Sequence, residues 1–367
     1  MADKMTLNRK LVLEDGSVYP GRGFGAKTEH ACELFFNTAV VGYQEMISDP
    51  SCTDAIAVMT YPLIGNYGIT DEDFESKVPT LGGLVVSEYN DQPSNFRYTK
   101  TLSEVMEDFD IPGIEGIDTR ALTRHIRDNG VCRAIIVDID LPTEEALEKI
   151  ACTPIPHDQV MRVSCRKKWY SRTANHKYNV VAVDCGIKTS IIRALNERGC
   201  NVTVVPWNTT AFEILKMKPD GVLISNGPGS SDDVKPVVET VRELRGKVPV
   251  FGISLGHLII AKAYGAATKK LKFGHHGGNH PVRILATGKV DIVAQNHDYA
   301  IKADSVNNTA LTVTRINLMD NTVEGVEDAA NRVCGVQYQP EGVPESLDSI
   351  GLWKQFICWM KGEDLRA

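Results

Sequence analysis

The chain has 367 residues, of which 43% are hydrophobic and 24% charged, with a formal net charge of −7. That length predicts about two domains, each with enough apolar content for a packed core. The acidic balance, with no basic run longer than Arg166-Lys167-Lys168, argues against nucleic acid or an anionic membrane surface as partner.

The start, Met1 to Lys10, is polar and lacks the apolar core of a signal peptide. Apolar stretches are too short to span a membrane; Leu258 to Ala267 is broken by Lys262 and Gly265. A cytoplasmic protein is expected. Nine cysteines, an odd number without C-x-x-C spacing, fit reduced and mostly buried thiols. Two β-rich runs flank Asp15-Gly16, which predicts a hairpin. Gly21-Arg22-Gly23-Phe24-Gly25 is no phosphate loop, because no strand-then-helix unit surrounds it. Ile117, Leu122 and Ile126 share one face of a predicted helix ending near Arg127, with Asp118 or Thr119 as its cap. Cys152 to Lys177, with Pro154 and Pro156 and no clean period, reads as a linker. It divides an N-terminal mixed α/β domain, 1–151, from a second domain, 178–367.

From Tyr178 the pattern alternates. Strands are predicted at Asn179–Asp184, Asn201–Pro206, Gly221–Ser225 and Val248–Phe251. Helices are predicted at Ser190–Arg198, Ala211–Met217, Ser231–Arg245 and Leu255–Tyr264. Such alternation means a parallel, doubly wound sheet, whose ligands bind beyond the carboxyl ends of the strands. Those ends are Asp184-Cys185-Gly186, Ser225 to Gly229, and Gly252-Ile253-Ser254-Leu255-Gly256. The last is a G-x-nucleophile-x-G elbow. Its turn excludes bulk on either side, and the helix N-terminus behind it favours a thiolate or an oxyanion.

The elbow with Gly227-Pro228-Gly229 resembles class I glutamine amidotransferases, whose elbow residue is cysteine. Other strings narrow the likeness to the small subunit of carbamoyl phosphate synthetase. They include Gly42-Tyr43-Gln44-Glu45, Ser94-Asn95-Phe96-Arg97, Gly116 to Arg124, and Lys272 to Pro281. The resemblance covers nearly the whole chain. It implies glutamine-binding positions at Ser51, Gly227, Gly229, Leu255 and Asn296, with Leu258, Asp298 and Tyr299 in the same pocket. It implies a triad at Ser254, Gln339 and Glu341. It further implies a large-subunit partner that holds ATP and Mg, with no cofactor in this chain.

Four positions depart from the family pattern. Ser254 replaces the cysteine and Gln339 the histidine; Leu258 stands where a glutamine is usual, and Asp298-Tyr299 where Gly-Phe follows Asn-His. Glutamine hydrolysis needs a nucleophile and a base to take and return its proton. An amide has no basic nitrogen near neutrality, so Gln339 cannot serve, and Glu341 is expected to accept a hydrogen bond from it. An engineered Cys-to-Ser exchange would explain Ser254 but not the other three.

The expected function is therefore a structural partner of an ammonia-using large subunit, unable to hydrolyse glutamine and binding it weakly. A fully glutamine-dependent small chain is the alternative. A serine hydrolase using the elbow is a further one, with His257, His280 or His297 as base. His275, His276 and His280 fall in a Gly-rich segment without carboxylates, so loop packing or a subunit contact is expected and no metal.

Overall fold

The computed structural model describes residues 7–342 and 347–363. Six residues of the polar start, 1–6, lie outside the described part. The chain divides into two units, Met1–Pro156 and His157–Ala367.

The first unit is built on a closed seven-stranded barrel. Around it run Arg9–Leu13, Val18–Gly25, Pro112–Glu115, Gly83–Val85, Ala55–Met59, Cys32–Asn37 and Cys132–Asp138, which pairs back onto Arg9–Leu13. The expected hairpin is present: Val12 faces Val18 across a turn in which Gly16 has φ +88°. Gly21 to Gly25 lie within its second strand. There a Cβ on Gly21 would sit 2.3 Å from the Glu115 carbonyl oxygen, so the glycines serve strand packing and not phosphate. Helix Thr119–Asn129 is capped by Asp118, whose Oδ1 accepts from Ala121 N–H at 2.9 Å. Leu122 and Ile126 are its buried face, as the periodicity implied.

The second unit is a ten-stranded sheet. Its parallel half runs Cys200–Pro206, Tyr178–Asp184, Gly221–Ile224, Val250–Ile253, Val333–Val336. Side chains of each strand alternate between two cores. Val181, Val183, Val222 and Ile224 meet helices Lys235–Leu244 and Leu255–Ala263 on one face. Val180, Ala182 and Leu223 meet helix Thr189–Glu197 and, through Trp353 and Phe356, the C-terminal helix on the other. Burial on both faces is what permits near-continuous apolar strands.

Beyond Val333–Val336 the sheet turns antiparallel, through Val323–Asp328, Val290–Ile301, Thr268–Ile284 and Thr312–Asn317. Within the stretch read as a linker, Gln159–Val163 is a short helix and Trp169–Ser171 an edge strand paired to Cys200–Pro206. Hydrogen bonding to an open sheet edge orders a segment that composition alone left unstructured. Helix Lys235–Leu244 starts later than expected because Pro236 occupies its first turn. All nine cysteines are free and five of them are buried. No helix among the described residues is long and apolar enough to cross a membrane.

Candidate active site

Two parallel strands end side by side, and their register fixes the site. Ile253 pairs with Val336, and Ser254 N–H donates to the Val336 carbonyl at 2.8 Å. The residues that follow each strand therefore emerge at the same sheet edge. One strand delivers Ser254, the other Gln339 and Glu341.

The elbow is sterically tight. A Cβ on Gly252 would lie 2.6 Å from the backbone of Gly256, and one on Gly256 would lie 2.2 Å from the Ile224 carbonyl oxygen. Ser254 itself has φ 54° and ψ −106°, a conformation that L-residues avoid and that typically costs about 1–3 kcal/mol. Its carbonyl accepts from His257 and Leu258 N–H, while Gly256 N–H donates to Ser225. Of the first-turn amides, Leu255 N–H remains without a partner among the described residues, as expected at a helix start.

Loops from the neighbouring strand ends hold the rest. Asp184 Oδ1 accepts from Gly186 and Ile187 N–H, both at 2.9 Å, and folds the chain back after the strand. Gly227 presses on Cys185, whose carbonyl oxygen would lie 2.0 Å from an added Cβ. Gly229 adopts φ +76° beside Gln159. Asn226 Oδ1 accepts from Lys188 N–H at 3.2 Å.

Lys188 is the residue the sequence did not reveal. Its ammonium lies 3.1 Å from Glu341 Oε1 and 3.4 Å from Gln339 Oε1. The Lys188 and Glu341 side chains are only 6% and 2% exposed. An ammonium can only donate, so it fixes the Gln339 amide oxygen toward itself. Glu341 thus meets a buried cation, a partner that the sequence did not supply. The signal for Lys188 was its place just past a strand end, before a helix, where doubly wound sheets bind ligands.

The remaining pocket positions are distributed as follows. Leu255 and Leu258 are 2% exposed and belong to the apolar core. Asn296, Asp298 and Tyr299 stand on strand Val290–Ile301. His276 joins two of them: Nδ1 lies 2.7 Å from Asn296 Oδ1 and Nε2 3.1 Å from Asp298 Oδ1. Burial opposes the Asp298 charge, but the His276 charge and hydrogen bond outweigh it and hold the carboxyl below its usual range. Tyr299 packs partly buried against the core. Ser51 belongs to the first unit, in a short 3-10 turn where its N–H donates to Asp49 Oδ1 at 2.9 Å.

None of the three histidines considered as a base is hydrogen-bonded to Ser254. His257 is fully buried, its ring near the Gly335 and Val323 backbone without good hydrogen-bond geometry, and burial lowers its pKa to about 3. His297 Nδ1 lies 2.8 Å from the Tyr299 carbonyl oxygen and its Nε2 3.2 Å from Gln295 Oε1. His280 stacks beside His275 at 5.2 Å.

Comparison with known proteins matches the chain to two families in series. The carbamoyl-phosphate synthase small chain, CPSase domain, matches residues 11–136, and the class-I glutamine amidotransferase family matches residues 181–358. A carbamoyl phosphate synthase small chain of Staphylococcus epidermidis is 50% identical over 357 residues, covering 97% of each chain. One of Fusobacterium nucleatum is 49% identical over 350 residues, 95% of this chain and 97% of the relative. A pyrimidine-specific small chain of Halalkalibacterium halodurans is 47% identical over 361 residues, 98% and 99% of the two chains.

Proposed function

The chain belongs to the family of carbamoyl-phosphate synthase small chains, and on that premise we propose that it is a partner subunit that does not itself hydrolyse glutamine. The observation that carries this reading is the Lys188–Gln339–Glu341 cluster. Where hydrolysis needs a base, the site offers an amide whose oxygen is engaged by an ammonium. Lys188 is engaged elsewhere, with its Nζ 3.1 Å from Glu341 Oε1 and 3.4 Å from Gln339 Oε1. Ser254 has a hydroxyl, a weaker acid than a thiol and more dependent on a base.

The pocket has changed in a way that also weakens glutamine binding. Leu258 offers no polar atom, and the Asn296 oxygen is engaged by His276. A buried polar ligand group left unpaired costs about 1–3 kcal/mol. ATP and Mg belong, on this reading, to a large-subunit partner that uses free ammonia in the cytoplasm.

The test is to co-express the chain with a large subunit and to assay carbamoyl phosphate with ammonium or glutamine as nitrogen source. Synthesis from ammonium alone is expected. Equal rates from both would overturn the reading. A glutamine-dependent small chain is the second reading; the strained elbow, kept intact around Ser254, favours it, and the same assay decides between them.

A further inference from the structure

The strand pair that carries Asn296 and Asp298 has a second face. His275 pairs with His297 and His276 with Asn296, and alternation sends the two pairs to opposite sides of the ladder. On the side away from Asn296 and Asp298, His275 and His297 meet Glu324 of the adjacent strand Val323–Asp328.

We propose that His275, His297 and Glu324 form a binding site for a divalent transition-metal ion of the zinc class. One ligand atom from each lies within 4.8 Å of the others, and the residues are 6%, 7% and 0% exposed. Both histidines are turned the right way. His297 Nδ1 lies 2.8 Å from the Tyr299 carbonyl, which only accepts, so Nδ1 carries the proton and Nε2 presents a lone pair. His275 Nε2 lies 3.0 Å from the Asp320 carboxylate, which leaves Nδ1 facing Glu324 at 3.9 Å. An outward hydrogen bond to a carboxylate or carbonyl is the usual support of a metal-binding imidazole. Asn317 Nδ2 at 3.4 Å is the present neighbour of His275 Nδ1, and Thr322 Oγ1 lies 3.3 Å from Glu324 Oε1.

Two further observations point to a cation. His297 Nε2 faces Gln295 Oε1 at 3.2 Å while Gln295 Nε2 donates to Glu324 Oε2 at 2.9 Å. That sets a lone pair against a lone pair. Turning the amide over moves the mismatch to Glu324. A cation bound at His297 Nε2 takes up the lone pair that opposes the amide oxygen in the observed orientation. Independently, His280 is 8% exposed, sits beside the His275 ring, and has a buried Nδ1 without a partner. Two imidazoles and a carboxylate suit zinc or cobalt, not magnesium or calcium, which require oxygen ligands. Bonds of about 2.0–2.1 Å put tetrahedral ligands ~3.4 Å apart, so the cluster closes by about 1 Å on binding.

The test uses the full chain, dialysed against chelator, reloaded with Zn²⁺ or Co²⁺ and gel-filtered. One retained equivalent is expected, with an intense tetrahedral Co²⁺ visible spectrum and a higher urea midpoint in zinc. Glu324→Gln should lose the equivalent, and Asp320→Asn should weaken affinity about 10- to 100-fold by releasing His275. No retained metal in the unmodified chain, or a weak octahedral Co²⁺ spectrum, overturns the proposal. That arm needs no variant and stands even if Glu324→Gln fails to fold. Retention unchanged in a folded Glu324→Gln also overturns it, in favour of a proton shared between Glu324 and its neighbours.

Discussion

Gln339 differs from a histidine by more than a missing base. It accepts from Lys188, and Lys188 in turn neutralises Glu341. A histidine placed at 339 would therefore meet a carboxylate already paired with a cation. Ser254→Cys alone should leave glutamine hydrolysis undetectable, and Ser254→Cys with Gln339→His should recover only part of an ordinary rate, because catalytic groups act as a unit. Glutamate release in a coupled dehydrogenase assay measures both; full activity from the single change would refute the role given to Gln339. Lys188→Met tests the cation itself. It leaves Glu341 charged and buried, which typically costs about 3–5 kcal/mol, and a urea midpoint unchanged from the parent would contradict the buried pair. His257 gives a pH signature. Its folded pKa is depressed by burial to about 3, so the unfolded chain binds the proton first as pH falls below about 6.5. Its contribution is complete above that pH and is lost toward about 3, at a limit of roughly 1.4 kcal/mol per pH unit. The parent should lose stability relative to His257→Leu between pH 7 and pH 5; a difference that does not change with pH would mean the imidazole is not buried neutral.

At the scale of elements, the turn between Val250–Ile253 and Leu255–Ala263 was fully legible. Its two glycines are demanded by backbone contacts at 2.2–2.6 Å, and glycine pairs around a nucleophile leave that mark in sequence. Gly256→Ala should destabilise the fold by about 1–3 kcal/mol, the usual range for overpacking. Ser254→Gly should do the opposite, since glycine tolerates φ 54° without strain. Unfolding midpoints of the two variants on either side of the parent are the expected result. The parallel strands were legible for a related reason: burial on both faces makes them apolar throughout. The long pair Thr268–Ile284 and Val290–Ile301 was not. Its Gly274-His275-His276-Gly277-Gly278 stretch shows neither alternation nor apolar content, because its buried side chains are histidines that face amides. A bulge between Lys270 and His275 breaks the period further. Lys188 was missed because no spacing rule attaches to a single lysine, and Glu324 because its partners come from distant strands.

For the whole molecule, the question is what the first unit presents to a partner. Val40, Val41, Val78, Phe96 and Tyr98 are large apolar side chains between 44% and 94% exposed. Several are tied together locally. Tyr67 Oη accepts from Gly42 N–H, next to Val41, and a Cβ on the adjacent Gly68 would touch Tyr98. Apolar groups grouped on a surface mark association sites more often than scattered ones do. Phe96 is the most exposed, at 94%, and it lies in one of the strings by which the chain resembles its family. An aromatic held in water by a folded loop gains most on burial, and such anchors commonly contribute 2 kcal/mol or more, roughly thirtyfold in affinity. Phe96→Asp should therefore weaken association with a large subunit by at least about that factor, while the circular dichroism and urea midpoint of the isolated chain stay the same. Ammonium-dependent carbamoyl phosphate synthesis by the co-expressed pair should then lose whatever stabilisation the small chain provides. Co-elution undiminished in the Phe96→Asp variant would move the contact elsewhere on the chain. Loss of co-elution together with loss of the fold would be separated by Phe96→Ser, a smaller change at the same exposed position.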